Sequence, residues 1–132
     1  MRYSTTVGVD LAKNVIQISV VNGRGKELSN RSLSRKRFAE FLCKHKPSLV
    51  AFESCATAHY WARAAERHGH EARIIPAKVV APFRQGHKTD SNDALAVAEA
   101  ARRPNIKEAP MKTTEQQGLQ AIHRSRELLI QE

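Results

Sequence analysis

Asp10 closes one apolar run, Glu53 closes a second, and Asp90 with Asp93 opens a helix-like segment. Only 13 Asp and Glu residues occur against 22 Lys and Arg, so carboxylates at the ends of hydrophobic strands call for a reason. An acid at a buried strand end is costly unless it is paired or bound to a metal. Hydrolytic phosphoryl transfer uses such groups: two ions about 3.5–4 Å apart activate the attacking oxygen and stabilise the leaving one. Mg²⁺ is hard, accepts carboxylate oxygens and keeps several waters, so a few Asp or Glu side chains plus substrate phosphates complete its shell, and Mn²⁺ can substitute. Asp90 and Asp93, spaced i and i+3, share one face of a first helical turn. Asp10 and Glu53, on adjacent strands, would present their carboxylates at one sheet edge.

Plainer readings stand beside this one. Asp90 and Asp93 could be an N-cap and an acid favoured by the helix dipole, Asp10 a turn former, and Glu53 the partner of a nearby Arg or Lys. Basic residues form a second candidate site. Lys13 lies beside the first carboxylate and Arg84 with Lys88 near the Asp pair, where they could contact a scissile phosphate. Arg35, Lys36 and Arg37 belong to a basic stretch from Arg24 to Lys46 that could follow a phosphate backbone or be an ordinary solvated face. His68-Gly69-His70 lacks a Cys or acid to complete a zinc set and reads as a helix end.

The elements that must position these groups follow from pattern. Tyr3 to Val9 and Val15 to Val21 are β-rich and form a hairpin, and Asn22-Gly23-Arg24-Gly25 turns the chain into a third, edge strand over Glu27 to Leu33. Ser34 caps a helix from Arg35 to Lys46, with Phe38, Phe41 and Leu42 at helical spacing and Pro47 as its stop. Leu49 to Phe52 lacks polar alternation and predicts a strand covered on both faces in the sheet's centre. His59 to His68 reads as a helix closed by Gly69, Glu71 to Ile75 as the next strand, and Ala77 to Phe83 as a short helix. After a polar loop, Ser91 to Arg102 is strongly helical, and Thr113 to Glu132 reads as helical with an apolar end, Leu128-Leu129-Ile130, that looks for a partner. Strands first and βα units afterwards predict an α/β fold with a mixed five-stranded sheet flanked by helices. Tyr60 and Trp61 are expected in the core, and Cys43 and Cys55, in no metal-ligand spacing, as small apolar side chains.

A chain of 132 residues fits one domain with a real core. Its net charge of +9 favours a polyanionic partner, nucleic acid before membrane. No apolar stretch approaches the roughly 18 residues that span a bilayer, and the N-terminus lacks a signal-peptide core. The expected location is cytoplasmic, without a membrane partner.

Three segments together carry a family resemblance: Val7-Gly8-Val9-Asp10-Leu11-Ala12-Lys13-Asn14, Phe52-Glu53-Ser54, and Lys88-Thr89-Asp90-Ser91-Asn92-Asp93-Ala94-Leu95-Ala96. In this order they resemble the N-terminal domain of the DEDD transposases of bacterial insertion sequences, which are similar also to Piv-type DNA invertases and include RNA-guided bridge recombinases. The resemblance implies a RuvC-like, RNase H-like domain over residues 1–104, with Asp10, Glu53, Asp90 and Asp93 as its catalytic, Mg²⁺-binding tetrad. It implies that residues 105–132 begin a helical extension used in assembly, as a dimer or tetramer of the full-length protein. It further implies DNA as the substrate, a structured noncoding guide RNA as a partner, and a C-terminal domain, absent from this sequence, that supplies a nucleophilic serine. Ser54, Ser91 and Ser125 match no nucleophile motif, so the chain is expected not to recombine DNA alone. Two other readings stay open: a free-standing RNase H-like nuclease or Holliday junction resolvase, and a non-catalytic nucleic-acid-binding module.

Overall fold

In a computed structural model, which describes residues 3–11 and 15–110, the strands β1 (Thr5–Leu11), β2 (Ile16–Asn22) and β3 (Glu27–Leu33) come first. They pair antiparallel in sequence order. The turn between β2 and β3 is built by Asn22, whose Oδ1 accepts from the backbone N–H groups of Arg24 and Lys26 at 2.9 and 3.0 Å. Gly25 completes it at φ +90°, a conformation that a side chain disfavours. Helix α1 (Arg35–Lys44) then crosses to β4 (Leu49–Glu53), and α2 (Ala58–Arg67) crosses to β5 (Glu71–Ile75). Strands β4 and β5 run parallel to β1, giving the order β3-β2-β1-β4-β5. A short helix, α3 (Ala77–Val80), passes into a 3₁₀ turn over Ala81–Phe83, and α4 (Asp90–Arg102) closes the fold. The mixed five-stranded sheet is therefore the one the sequence predicts. Strand β1 occupies the middle position and β4 lies beside it, buried from Leu49 through Phe52.

Side-chain alternation divides the core into two layers. Val7, Val9, Val50 and Phe52 face α1 and α2, where Phe38 packs edge-on against Trp61 at 4.8 Å and Phe52 at 6.4 Å. Leu49, Ala51 and Ile75 face α4, which answers with Ala96, Val97, Ala100 and Ala101. Helix and strand come unusually close because Gly8 has no side chain. A Cβ there would run into the backbone of Ala94 and stand 2.5 Å from the Ala98 nitrogen.

Several expectations need correction. Helix α1 stops at Lys44, two residues before Lys46, because His45 is already extended, at φ −72° and ψ 141°. Tyr60 is 51% exposed: the buried face of α2 is formed by Ala58, His59, Trp61, Ala62, Ala64 and Ala65, and Tyr60 points away from it. Cys43 and Cys55 are exposed rather than apolar filling. His70 is a buried structural residue: its Nε2 donates to Leu42 O at 2.7 Å while its Nδ1 accepts from Ser48 N at 3.1 Å. One imidazole thereby ties the end of α1 to the starts of β4 and β5. Residues 105–110 return to the sheet edge, with Ala109 N donating to Ile74 O at 2.7 Å. The helix expected over 113–132 lies outside the described residues.

Gly8→Ala should force α4 off the sheet. Urea denaturation is expected to show a loss of about 3 kcal/mol from overpacking.

Candidate metal centre

Strand register brings the first two acids together. Val9 pairs with Phe52 across β1 and β4, so one further step sets Asp10 beside Glu53, both on the face turned to α4. Because Gly8 draws α4 against β1, the first turn of that helix sits over the same strand ends. Thr89 is the N-cap, its hydroxyl accepting from Asn92 N at 3.1 Å. Asp90 is therefore not the cap, which leaves its carboxylate available, and Asp93 follows one turn on, 7% exposed. One carboxylate oxygen each from Asp10, Asp90 and Asp93 lie within 4.8 Å of one another. Glu53 falls outside that tight group but lines the same cavity of about 210 Å³ together with Asp10, Arg84, Lys88 and Asp93.

Arg84 ties Glu53 to the group. Its Nε donates to Asp93 Oδ1 at 2.7 Å, and its Nη2 donates to the two Glu53 oxygens at 3.1 and 3.3 Å. The hydrogen bond to Asp93, ahead of the attraction of Glu53, raises the guanidinium's pKa above its ordinary value. Below the helix, Gln17 is the register partner of Asp10. Its amide donates to Asn30 Oδ1 at 2.6 Å and to Ser91 Oγ at 3.3 Å, and Asn30 donates in turn to Ser91 O at 2.9 Å. This polar seam between β2, β3 and α4 pins Ser91, the residue that follows Asp90. Gln17 and Ser19 are buried under α4, a contact that no local pattern of β2 announces.

The cluster carries surplus negative charge. Burial first, then the neighbouring charges of Asp93, Asp90 and Glu53, push the Asp10 carboxyl from 3.8 up to about 6, with Arg84 opposing. Hard oxygen donors with unmet charge are the donor set that suits a divalent cation of the Mg²⁺ type, so the three aspartates could hold a metal ion, with Glu53 within reach of a second. Of the predicted basic residues, Arg84 and Lys88 line the cavity. Arg84 is engaged by two of the acids rather than turned to an open phosphate position. Arg35 lines a neighbouring cavity that shares Leu11 and Cys55 with the acidic one. Lys36 and Arg37 are exposed on α1, and Arg37 faces a separate groove with Arg31, Lys44 and His45. Lys13 lies outside the described residues.

A family model of the DEDD transposases of the IS110 type, described as "Transposase", matches residues 7–132. The chain belongs to this transposase family. It is 41% identical over 124 residues to a probable family 20 transposase of Pseudomonas aeruginosa, covering 94% of this chain and 37% of the relative. With the transposase for insertion sequence element IS1328 of Yersinia enterocolitica it shares 38% over 128 residues, covering 97% of this chain and 38% of the relative. With that for IS1111A of Coxiella burnetii it shares 34% over 124 residues, covering 94% and 34%. The chain thus spans little more than a third of the curated relatives it matches. Its fold is that of T. thermophilus RuvC, solved in complex with a Holliday junction substrate: the TM-score is 0.60 at 16% identity, over 81% of this chain and 100% of that one. The RuvC-like fold of this transposase chain is therefore shown. Among its described residues, no helix is long and apolar enough to cross a membrane.

The raised pKa of Asp10 carries a pH signature. The folded chain keeps that proton up to about pH 6, whereas the unfolded chain releases it near 3.8, so without metal the stability contribution of Asp10 falls as pH rises through this window. Asp10→Asn should stabilise the metal-free chain by about 1–2 kcal/mol at pH 7.5, below the full shift because solvent screens a half-buried group. In thermal melts the gain should vanish by pH 3.5, where wild-type Asp10 is largely protonated in both states.

Proposed function

We propose that this chain is the metal-binding catalytic domain of a DNA transposase, in which Asp10, Glu53, Asp90 and Asp93 hold Mg²⁺ against a DNA strand. The observation that supports this reading is the convergence of three carboxylates from β1 and α4 within 4.8 Å, with Glu53 in the same cavity. Bound there, Mg²⁺ would polarise a phosphate and stabilise a leaving oxygen. The residues of the chain do the rest. Asp10 and Asp93 are fixed by strand and helix backbone, while the exposed Asp90 and the longer Glu53 can adjust to a ligand. Lys88 faces the same cavity and can meet phosphate oxygens, as can Arg84 once it leaves the acids, and Arg35, Lys36 and Arg37 extend the positive surface for the DNA backbone; Lys13 is assigned to the same contact from the sequence.

In this reading residues 1–104 form the RuvC-like domain and 105–132 begin a helical assembly region of a dimer or tetramer acting in the cytoplasm. A C-terminal domain supplies the serine that joins covalently to DNA, and a structured noncoding RNA selects target and donor sites. A second reading, a free-standing nuclease that uses water on branched DNA, draws on the alignment of the complete RuvC chain with this one. Nicking of a four-way junction by the 132-residue chain in Mg²⁺, abolished by Asp10→Ala, would favour that reading over the first.

Crystals soaked in Mn²⁺ should give an anomalous peak among the Asp10, Asp90 and Asp93 carboxylates, and Asp93→Asn should remove it. A peak elsewhere, or none, would overturn the metal site. Lys36→Glu combined with Arg37→Glu should weaken DNA binding and flatten the dependence of log K on log salt by about 2, since each phosphate contact contributes about 0.9; an unchanged slope in a salt titration would remove these two residues from the interface.

A further inference from the structure

We propose that Arg84 is a built-in counter-cation that keeps Glu53 out of the ligand set, so that one divalent ion binds through Asp10, Asp90 and Asp93 and a second, reaching Glu53, binds only as the guanidinium withdraws. The inference rests on the metal reading above and goes beyond it by assigning the two cation positions different rules of entry. Glu53 sits in the right cavity on the right strand end, yet both of its oxygens face Arg84 Nη2, at 3.1 and 3.3 Å, and the same guanidinium holds Asp93 Oδ1 at 2.7 Å. The three groups are well shielded, with side chains 23%, 22% and 10% exposed for Arg84, Glu53 and Asp93, so solvent weakens these contacts less than it would a surface pair. A guanidinium does not shed its proton in proteins. Glu53 can therefore serve a metal only if Arg84 moves.

The surrounding structure makes that movement feasible. Arg84 leaves the 3₁₀ turn with its N–H on Ala81 O at 3.1 Å, and the chain after it bends through Gly86, at φ +77°, before Asn92 Nδ2 anchors it again at His87 O, 2.7 Å away. A long side chain on such a tether can swing by rotamer changes alone, leaving the backbone in place. An arriving phosphodiester offers the displaced fork a matching pair of oxygens. Arg84 would then exchange a carboxylate for a phosphate, and the second ion would enter together with the nucleic acid. Because coupling is reciprocal, ion binding at Glu53 weakens the hold of Arg84 by the same factor that Arg84 weakens the ion.

Calorimetric titration of the 132-residue chain with Mn²⁺ in the absence of nucleic acid is expected to show one ion per chain. Arg84→Gln should show two, the second at least about tenfold tighter than any second event in the wild type, and adding Glu53→Gln to that variant should return the stoichiometry to one. If Arg84→Gln does not fold, the Arg84 Nε–H resonance of the wild type takes its place: it should hold its position through the first equivalent of Mg²⁺ and move as the second enters. The proposal falls if Arg84→Gln still takes a single ion, if its gain persists without Glu53, or, in the resonance experiment, if the signal moves with the first equivalent. Absence of Mn²⁺ binding by folded wild type and variant alike would overturn the metal reading and this inference together.

Discussion

Mutual repulsion among carboxylates is the force that this fold has to contain. Asp10, Glu53, Asp90 and Asp93 come from two strands and a helix, and left to themselves they would separate. Backbone architecture prevents it. Parallel pairing of β1 with β4 fixes the first two in register, and the absence of a Cβ at Gly8 lets α4 press its acidic first turn over the same strand ends. The strain appears as the elevated proton affinity of Asp10 and is partly relieved by the guanidinium between Glu53 and Asp93. The backbone thereby gathers the acids before any ligand arrives.

Much of this was legible in the chain. The hairpin turn at Asn22 to Gly25, the β-α-β-α-β order and the four acids at element ends all rest on local patterns of spacing and turn chemistry, which survive into the fold. What escaped notice depends on partners distant in sequence. Gln17 reaches Ser91, 74 residues away, and Gly8 matters only because Ala94 and Ala98 come to lie upon it. The burial of Gln17 could not be read from strand alternation, since a polar residue under a helix and one under water look the same in sequence. Arg84 was recognised as belonging near the Asp pair. Its engagement with two acids needed the loop geometry that follows the 3₁₀ turn. Tyr60 was misjudged because helical phase within α2 decides burial more finely than residue type.

The sheet also separates tasks by position. His70 binds α1, β4 and β5 together near the starts of the parallel strands, at the end of the sheet away from the acids, whose cluster gathers at the strand ends where β1 and β4 stop. The histidine tie and the candidate site thereby lie at opposite ends of the parallel strands. The basic surface divides likewise. Arg35 borders the acidic cavity across Leu11 and Cys55, whereas Arg37 opens onto a groove against β3. A polyanion following both would have to wrap around α1.

The cap of α4 has a further implication. Thr89 closes the helix over the same turn that carries Asp90 and Asp93, so this short stretch is both a terminus, where helices ordinarily fray, and half of the candidate ligand set. Unwinding one turn would scatter the aspartates, and gathering them would rewind it. For a cation held by these acids, occupancy and the persistence of that terminus would be two descriptions of a single equilibrium, and whatever loosens the helix start would disperse the carboxylates.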